Sequence, residues 1–268
     1  TTSNIDNLEH NEFIINLNKL INNKLQATNP EQIKQLEKFA KHYYKLVAVE
    51  DLKQRNLDDL YGAVLSHYNF LAVVDSEKTY VKVYNPEYEK HGWCSIHTVI
   101  EIVHPDIPFL VDSISRAIAH LNLTSHLMFT PGSVKITRDP NNPNQIIDIK
   151  LPDYSKNTTS DYDSIIYIEV DKQSDKKDLR KIEQYLQEVI SDVRIVVQDW
   201  QIMREQASAI EQELAQVPAN GNGSYELGEV KEAADFIEWL ADDHFTFLGC
   251  CDYVFIKDET NNNEILQF

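Results

Sequence analysis

The chain of 268 residues contains 42% hydrophobic and 10% aromatic residues, which is enough to build one or two folded domains with appended helices. Its 43 acidic and 25 basic residues give a net charge of −18, so phosphate backbones and anionic lipid surfaces are repelled and neither nucleic acid nor a membrane is expected as a partner. The three cysteines, Cys94, Cys250 and Cys251, show no zinc-ligand spacing and favour a reducing, cytoplasmic compartment.

Residues 1–76 predict a helical leader. Apolar side chains recur at helical spacing over 8–26, and Asn29-Pro30 marks the start of a second helix. Asn56 is a candidate N-cap for a third helix over 57–74. Such amphipathic stripes are explained either by core packing, which is the commoner case, or by a docking surface.

From residue 77 the pattern changes to β-strands. Residues 80–84 alternate and stop before Pro86, as an edge strand does. Residues 97–103 and 164–170 are strongly apolar runs rich in β-branched residues, which are typical of central strands. Two strand segments, 125–130 and 133–138, flank Pro131-Gly132, which marks a bend or a turn. A short strand over 146–151 and a polar loop over 151–163 follow.

Two helices complete this region, one over 108–121 and a long one from 175 to about 214. The order β-β-α-β-β-α predicts an α+β fold of ferredoxin-like type, an antiparallel sheet with two helices on one face. Because no final strand follows the second helix, we expect 80–84 to fill the vacant edge.

The C-terminal part predicts a second module. Residues 216–228 are rich in Gly, Pro, Asn and Ser and form a linker. Beyond it, 229–240 is predicted to be a helix and 244–256 a strand. The domain scheme is therefore 1–76 leader, 77–215 α+β domain, 216–228 linker and 229–268 the start of a following, truncated α/β module.

Catalytic and cofactor motifs are missing from the sequence. The seven glycines form neither GxGxxG nor GxxxxGK[ST], the two loops that cradle phosphates. No nucleophile stands beside a base, and the nine histidines lack metal-ligand spacing. We expect no catalytic residue, no metal site and no cofactor within these residues.

The strand–turn–helix at 102–123 is the candidate ligand site. Asp106 can receive a ligand ammonium group while the backbone amides of Phe109 to Val111 receive its carboxylate. Alternatively, Asp106 caps the helix, with Pro108 in the first turn. The candidate binding residues are Asp106, Ile107, Pro108, Phe109, Leu110 and Val111.

The turn DIPFLVD (106–112) resembles the Asp-x-Pro-Gly-Leu-Leu turn of ACT domains, which bind amino acids and regulate metabolic enzymes. Longer blocks resemble the N-terminal region of the large bacterial NAD-specific glutamate dehydrogenases. These blocks are YYKLVAVEDL (43–52), DLYGAVLSHY (59–68), VKVYNP (81–86), GWCSIHTVIEIVHPDIPFLVDSI (92–114), SDVRIVVQDWQIMRE (191–205) and FIEWLADDHFTFLGCCDY (236–253).

This resemblance implies an ACT-like domain with a helical leader, in a non-catalytic segment that serves regulation and oligomerisation. The parent enzyme would use NAD, bound by downstream domains, to oxidise L-glutamate to 2-oxoglutarate and ammonia. The implied partners are further copies of the chain, through a sheet edge and helices, the downstream domains and an amino-acid effector. Phe109 stands where ACT domains often have Gly, so its side chain is expected to fill the place of a ligand.

Overall fold

The computed structural model describes residues 2–26, 29–74, 78–152, 162–217, 227–251, 253–257 and 264–267. Its helices are α1 (Thr2–Lys24), α2 (Pro30–Tyr43), α3 (Val49–Lys53), α4 (Leu57–Val73), α5 (Tyr88–His91), α6 (Leu110–His120), α7 (Lys176–Ala215) and α8 (Leu227–Trp239). Its strands are β1 (Tyr80–Tyr84), β2 (Thr98–Pro105), β3 (Ser125–Asp139), β4 (Asn142–Lys150), β5 (Asp163–Val170), β6 (Val254–Lys257) and β7 (Glu264–Gln267). Contacts divide the chain into two compact units, Thr1–Ser191 and Asp192–Phe268, and α7 has residues in both.

The sheet of the first unit is antiparallel throughout, with the described strands in the order β1-β2-β5-β3-β4. The strand–helix–strand–strand–helix path β2-α6-β3-β5-α7 is that of a ferredoxin-like fold. In that fold a last strand lies beside the first, and here β1 takes this place next to β2. The predicted α+β class and the predicted role of residues 80–84 as the missing edge strand are both confirmed.

The helical leader forms as its sequence predicts. Asn29 accepts a hydrogen bond from the amide of Glu31 at 3.0 Å and caps α2, and Asn56 caps α4 through the amide of Asp58 at 3.0 Å. Two short helices, α3 and α5, were not predicted, because each is too short to show a helical period.

The two faces of the sheet are covered by different layers. Alternation along the strands sends one set of side chains toward α6 and the first part of α7, where the core is aliphatic. The other set faces the leader helices, where the core is rich in aromatic rings. The two helices that follow strands of the sheet therefore share one face, as predicted, and the leader covers the other.

Two details of the strands differ from the prediction. Residues 125–138 do not turn at Pro131-Gly132: β3 runs through this pair, and its register against β5 shifts between Phe129 and Gly132. Pro cannot donate to the ladder, so the irregularity is accommodated as a bulge rather than a turn. The predicted short strand at 146–151 is the longer β4, and of the predicted loop 151–163, residues 153–161 lie outside the described residues.

The second unit contains α8, which passes into one π-helical turn, Leu240–His244. The rings of Phe236, Trp239 and His244 stack in sequence along this segment. The strand prediction for 244–256 is wrong for residues 245–251, which are irregular; only β6 forms, paired with β7. Most of the predicted linker, residues 218–226, lies outside the described residues, and the domain scheme stays a prediction.

Candidate functional site

The turn between β2 and α6 is held by hydrogen bonds of Asp106. Its backbone N–H donates to the carbonyl of Tyr162 at 2.9 Å, and its carboxylate accepts from the hydroxyl of Ser133 at 2.7 Å. Ser133 is buried on β3, so the carboxylate ties the turn after β2 to a strand that lies beyond β5 in the sheet. This geometry leaves Asp106 half-buried with one partner already in place.

The capping interpretation of Asp106 is wrong. The helix begins at Leu110 rather than at Pro108, and its N-cap residue is Phe109, which makes no side-chain capping bond. Asp106 lies three residues before the N-cap and bonds Ser133 instead. The amides at the start of α6 are therefore not satisfied by Asp106.

Phe109 adopts the left-handed backbone conformation, with φ of 65°. Gly adopts this region at no steric cost, whereas a residue with a Cβ is strained there. The residue is 51% exposed. About half of the residue is shielded from solvent, and the expectation that its side chain fills the ligand place in the turn stays a prediction.

The other candidate residues separate by burial. Leu110 is buried, Ile107 packs partly against the aliphatic core, and Pro108 and Val111 are exposed. Asp112 places a carboxylate in the first turn of α6, where it interacts favourably with the helix dipole. Its negative charge repels a further anion at the same helix end. The turn thus combines a partly exposed acid, an exposed ring and helix-start amides.

A buried carboxylate, Glu169 on β5, organises the leader-facing side of the sheet. Arg55 donates to both carboxylate oxygens at 2.7 Å, Tyr167 donates to one at 2.8 Å, and Nδ1 of His97 lies 3.0 Å from the other. Glu169 is 3% exposed. We call these four residues the Glu169 cluster; because Arg55 precedes α4, the cluster fastens the leader to the sheet.

The Glu169 cluster continues toward solvent through two stacked imidazoles. The rings of His97 and His126 lie 4.2 Å apart and nearly parallel, and Nε2 of His126 is 2.7 Å from the carboxylate of Asp171. Hydrogen bonds from Thr124 and from His126 lower the pKa of Asp171 to about 2. Each histidine therefore has a carboxylate of its own.

A second buried carboxylate, Glu101 on β2, repeats this arrangement one strand away. Lys82 pairs with it at 3.0 Å and the hydroxyl of Tyr84 donates to it at 2.8 Å. Ser66 of α4 contacts both the ammonium of Lys82 and the hydroxyl of Tyr84. We call these four residues the Glu101 cluster; burial and the nearby carboxylate raise the pKa of Tyr84 well above its usual range.

His67 joins the leader to the centre of the sheet beside the Glu101 cluster. Its Nε2–H donates to the carbonyl of Ile102 at 3.3 Å, so Nδ1 accepts from the hydroxyl of Tyr43 at 2.9 Å. Complete burial lowers the pKa of His67 to about 4. The imidazole is therefore neutral at pH 7, and its two bonds fix the tautomer.

Sequence reasoning missed both clusters. Each central strand carries one Glu within a β-branched run, TVIEIV and SIIYIEV, and a charged residue at an inward position of a buried strand is rare unless it is paired. That signal was available. The partners Arg55 and Lys82 were not recoverable, because the contacts join segments distant in the chain.

Among the described residues, no group of three or more His, Cys, Asp or Glu side chains can hold a metal ion. Cys94, Cys250 and Cys251 are free and exposed, and the thiol of Cys94 faces the carboxylate of Asp59. No described helix is both long and apolar enough to cross a bilayer.

Comparison with known proteins identifies the sheet-bearing region. Residues 39–186 match the family described as glutamate dehydrogenase, ACT1 domain. The chain is 33% identical over 245 residues to the NAD-specific glutamate dehydrogenase of Pseudomonas aeruginosa, and 35% identical over 249 residues to that of Halomonas elongata. These matches cover 90% and 92% of the chain but only 14% and 15% of the relatives. The chain therefore belongs to the glutamate dehydrogenase ACT1-domain family, which its residues 39–186 match, and it spans about one seventh of the length of these NAD-specific relatives.

Proposed function

We propose that this chain is a regulatory and assembly segment of an NAD-dependent glutamate dehydrogenase. The parent enzyme converts L-glutamate, NAD and water to 2-oxoglutarate, ammonia and NADH in the cytoplasm. The segment contributes interfaces to further copies of the chain and to downstream domains. The family match supports the parent identity, and the observation that carries the assembly role is the edge of the sheet at β1.

The β1 edge is suited to pairing with another strand. β1 pairs with β2 over five residues without a register shift, and no described strand lies on its other side. The opposite edge, β4, is interrupted by register shifts against β3, and bulges blunt an edge. A regular edge with unpaired backbone groups allows β-augmentation, so we assign self-association to β1.

We assign the NAD site to the parent's other domains. A dinucleotide-binding turn needs glycines where backbone approaches the pyrophosphate, in an open parallel sheet. Here every strand pair of the five-stranded sheet is antiparallel, and the turn into α6 holds Pro108 and Phe109. These residues do not fit the cofactor.

Concentration-dependent sedimentation of the 268-residue chain tests the assembly role, together with hydrogen exchange. We expect dimers or larger oligomers, with slowed exchange of the β1 amides as concentration rises and unchanged exchange in β4. A monomer with fully exchanging β1 amides at high concentration contradicts the proposal.

The second candidate function is an amino-acid sensor at the turn. The observation in its favour is that the start of α6 has no side-chain cap, since its N-cap residue is Phe109, while the partly exposed Asp106 lies three residues earlier. In this role, Asp106 receives the ammonium group, and the amides of Phe109, Leu110 and Val111 receive the carboxylate.

Calorimetry against a panel of amino acids separates the two functions. A sensor binds saturably, loses binding in Asp106→Ala and keeps it in Ser133→Ala, because the second variant breaks the same hydrogen bond but retains the carboxylate. Equal losses in both variants point to a structural role of the turn. Silence across the panel leaves assembly as the function.

A further inference from the structure

A cleft of 680 Å³ lies in the helical leader, away from the turn and from both clusters. Its walls are one face of α1, the C-terminal half of α2 and the segment that enters α3. Ile14, Val47 and Val49 give it a buried apolar floor. Such a cleft accepts a hydrocarbon group.

Cations line one side of this cleft. Lys41 and Lys45 are exposed at the end of α2 and just beyond it. Within the described part of the chain, neither ammonium group has a carboxylate within 4.0 Å. Lys38, one turn earlier, is paired with Asp148 at 3.4 Å. The chain has a net charge of −18, so a cleft with two unpaired lysines on one side is locally positive in an otherwise negative protein.

His42 lies between these lysines in sequence and also lines the cleft. Its side chain is buried, with 7% exposure, and Nε2 has no hydrogen-bond partner. Burial, and the nearby charge of Lys45, lower the pKa of His42. A buried polar atom without a partner is unfavourable in the free protein, and a polar ligand group supplies what is missing.

The acidic residues limit what the cleft can bind. Asp6 and Glu50 also line it, and they repel an ion that carries several negative charges, such as a phosphate ester. The lysines attract one anionic group, and the apolar floor accommodates a hydrocarbon body. We propose that the leader cleft binds a small monocarboxylate through Lys41 and Lys45, with its hydrocarbon part on Ile14, Val47 and Val49. This site is independent of the proposed regulatory function of the turn.

Titration of the full 268-residue chain with hexanoate, followed by NMR, tests the site. We expect saturable shifts of the His42 ring signals and of amides around 41–50, and binding about tenfold weaker for the neutral isostere hexanamide. Lys41→Gln and Lys45→Gln each weaken hexanoate binding several-fold, and together by about tenfold or more. Lys34→Gln is the matched control, because Lys34 is exposed on α2 and does not line the cleft.

Three results overturn the proposal. Hexanamide binding as tightly as hexanoate shows that the lysines make no contribution. Equal effects of Lys34→Gln and Lys45→Gln show that only the general charge matters. Competition by inorganic phosphate at equal concentration shows an unselective cationic surface rather than a carboxylate site.

Discussion

The two faces of the sheet have different cores. Among the described residues, the hydrophobic core toward α6 and α7 consists of buried Val, Ile, Leu and Ala side chains, whereas toward the leader it includes Tyr43, Tyr167 and Trp93, next to the carboxylates of Glu101 and Glu169. Aliphatic packing is non-directional and tolerates alternatives. Buried carboxylates require specific donors, so the leader can dock in few ways. The leader is therefore attached to the sheet by directional hydrogen bonds as well as by packing.

Removal of Glu169 is expected to give the largest effect. Glu169→Ala leaves Arg55, Tyr167 and His97 without their shared acceptor, and we expect a loss of about 3–5 kcal/mol in the free energy of unfolding. Ile168→Val, the neighbouring residue on the aliphatic face, should cost about 1 kcal/mol. Urea denaturation measures both. Equal losses would contradict the contrast between the faces.

Lowering the pH should reduce the free energy of unfolding, because His67 is buried in its neutral form on the leader-facing side of the sheet. Its pKa is about 4 in the folded chain against 6.5 for an ordinary histidine, so between these values the unfolded chain binds the additional proton. Stability is therefore lost as pH falls from 6.5 to 4, by about 3 kcal/mol. In His67→Gln this part of the pH dependence should disappear from the unfolding free energy. An identical pH profile in the variant would show that His67 does not titrate in this way.

Removing one donor of the Glu101 cluster should lower the free energy of unfolding less than removing Glu169 itself. Tyr84→Phe deletes the hydroxyl that bonds Glu101 and leaves Lys82 in place, and we expect a loss of about 2 kcal/mol. Thermal unfolding monitored by circular dichroism measures it. A neutral outcome would mean that Lys82 satisfies the carboxylate without Tyr84.

Removing a helix cap should give the smallest loss of stability. Asn56→Ala removes the cap of α4 and should cost about 1 kcal/mol. Asp58→Asn, which keeps the amide that Asn56 accepts from, is the control and should change stability less. A loss in Asn56→Ala as large as that in Glu169→Ala would indicate that helix formation, not docking, limits the leader's stability.

Much of the fold could be predicted because many of its elements depend on residues that are close together in the sequence. The Asn29 and Asn56 caps, the apolar strands around Ile100 and Ile168, and the edge strand at 80–84 each follow from neighbouring residues. The start of α6 was misplaced because Phe109 adopts a backbone conformation that its side chain disfavours. For Pro131-Gly132 a bend or a turn was predicted, and the bulge within one continuous strand was missed, because its pairing with β5 is not local.

The sequence by itself determined the α+β class, the strand that completes the sheet and the family, since periodicity, turn residues and ordered blocks are properties of the linear chain. The tertiary structure alone decided that Asp106 bonds Ser133, that Arg55 meets Glu169 and that His67 bridges Tyr43 to the sheet. These contacts join residues 24 to 114 positions apart. Their partners are selected by packing and by the need to satisfy buried charge, and neither is visible in a local pattern.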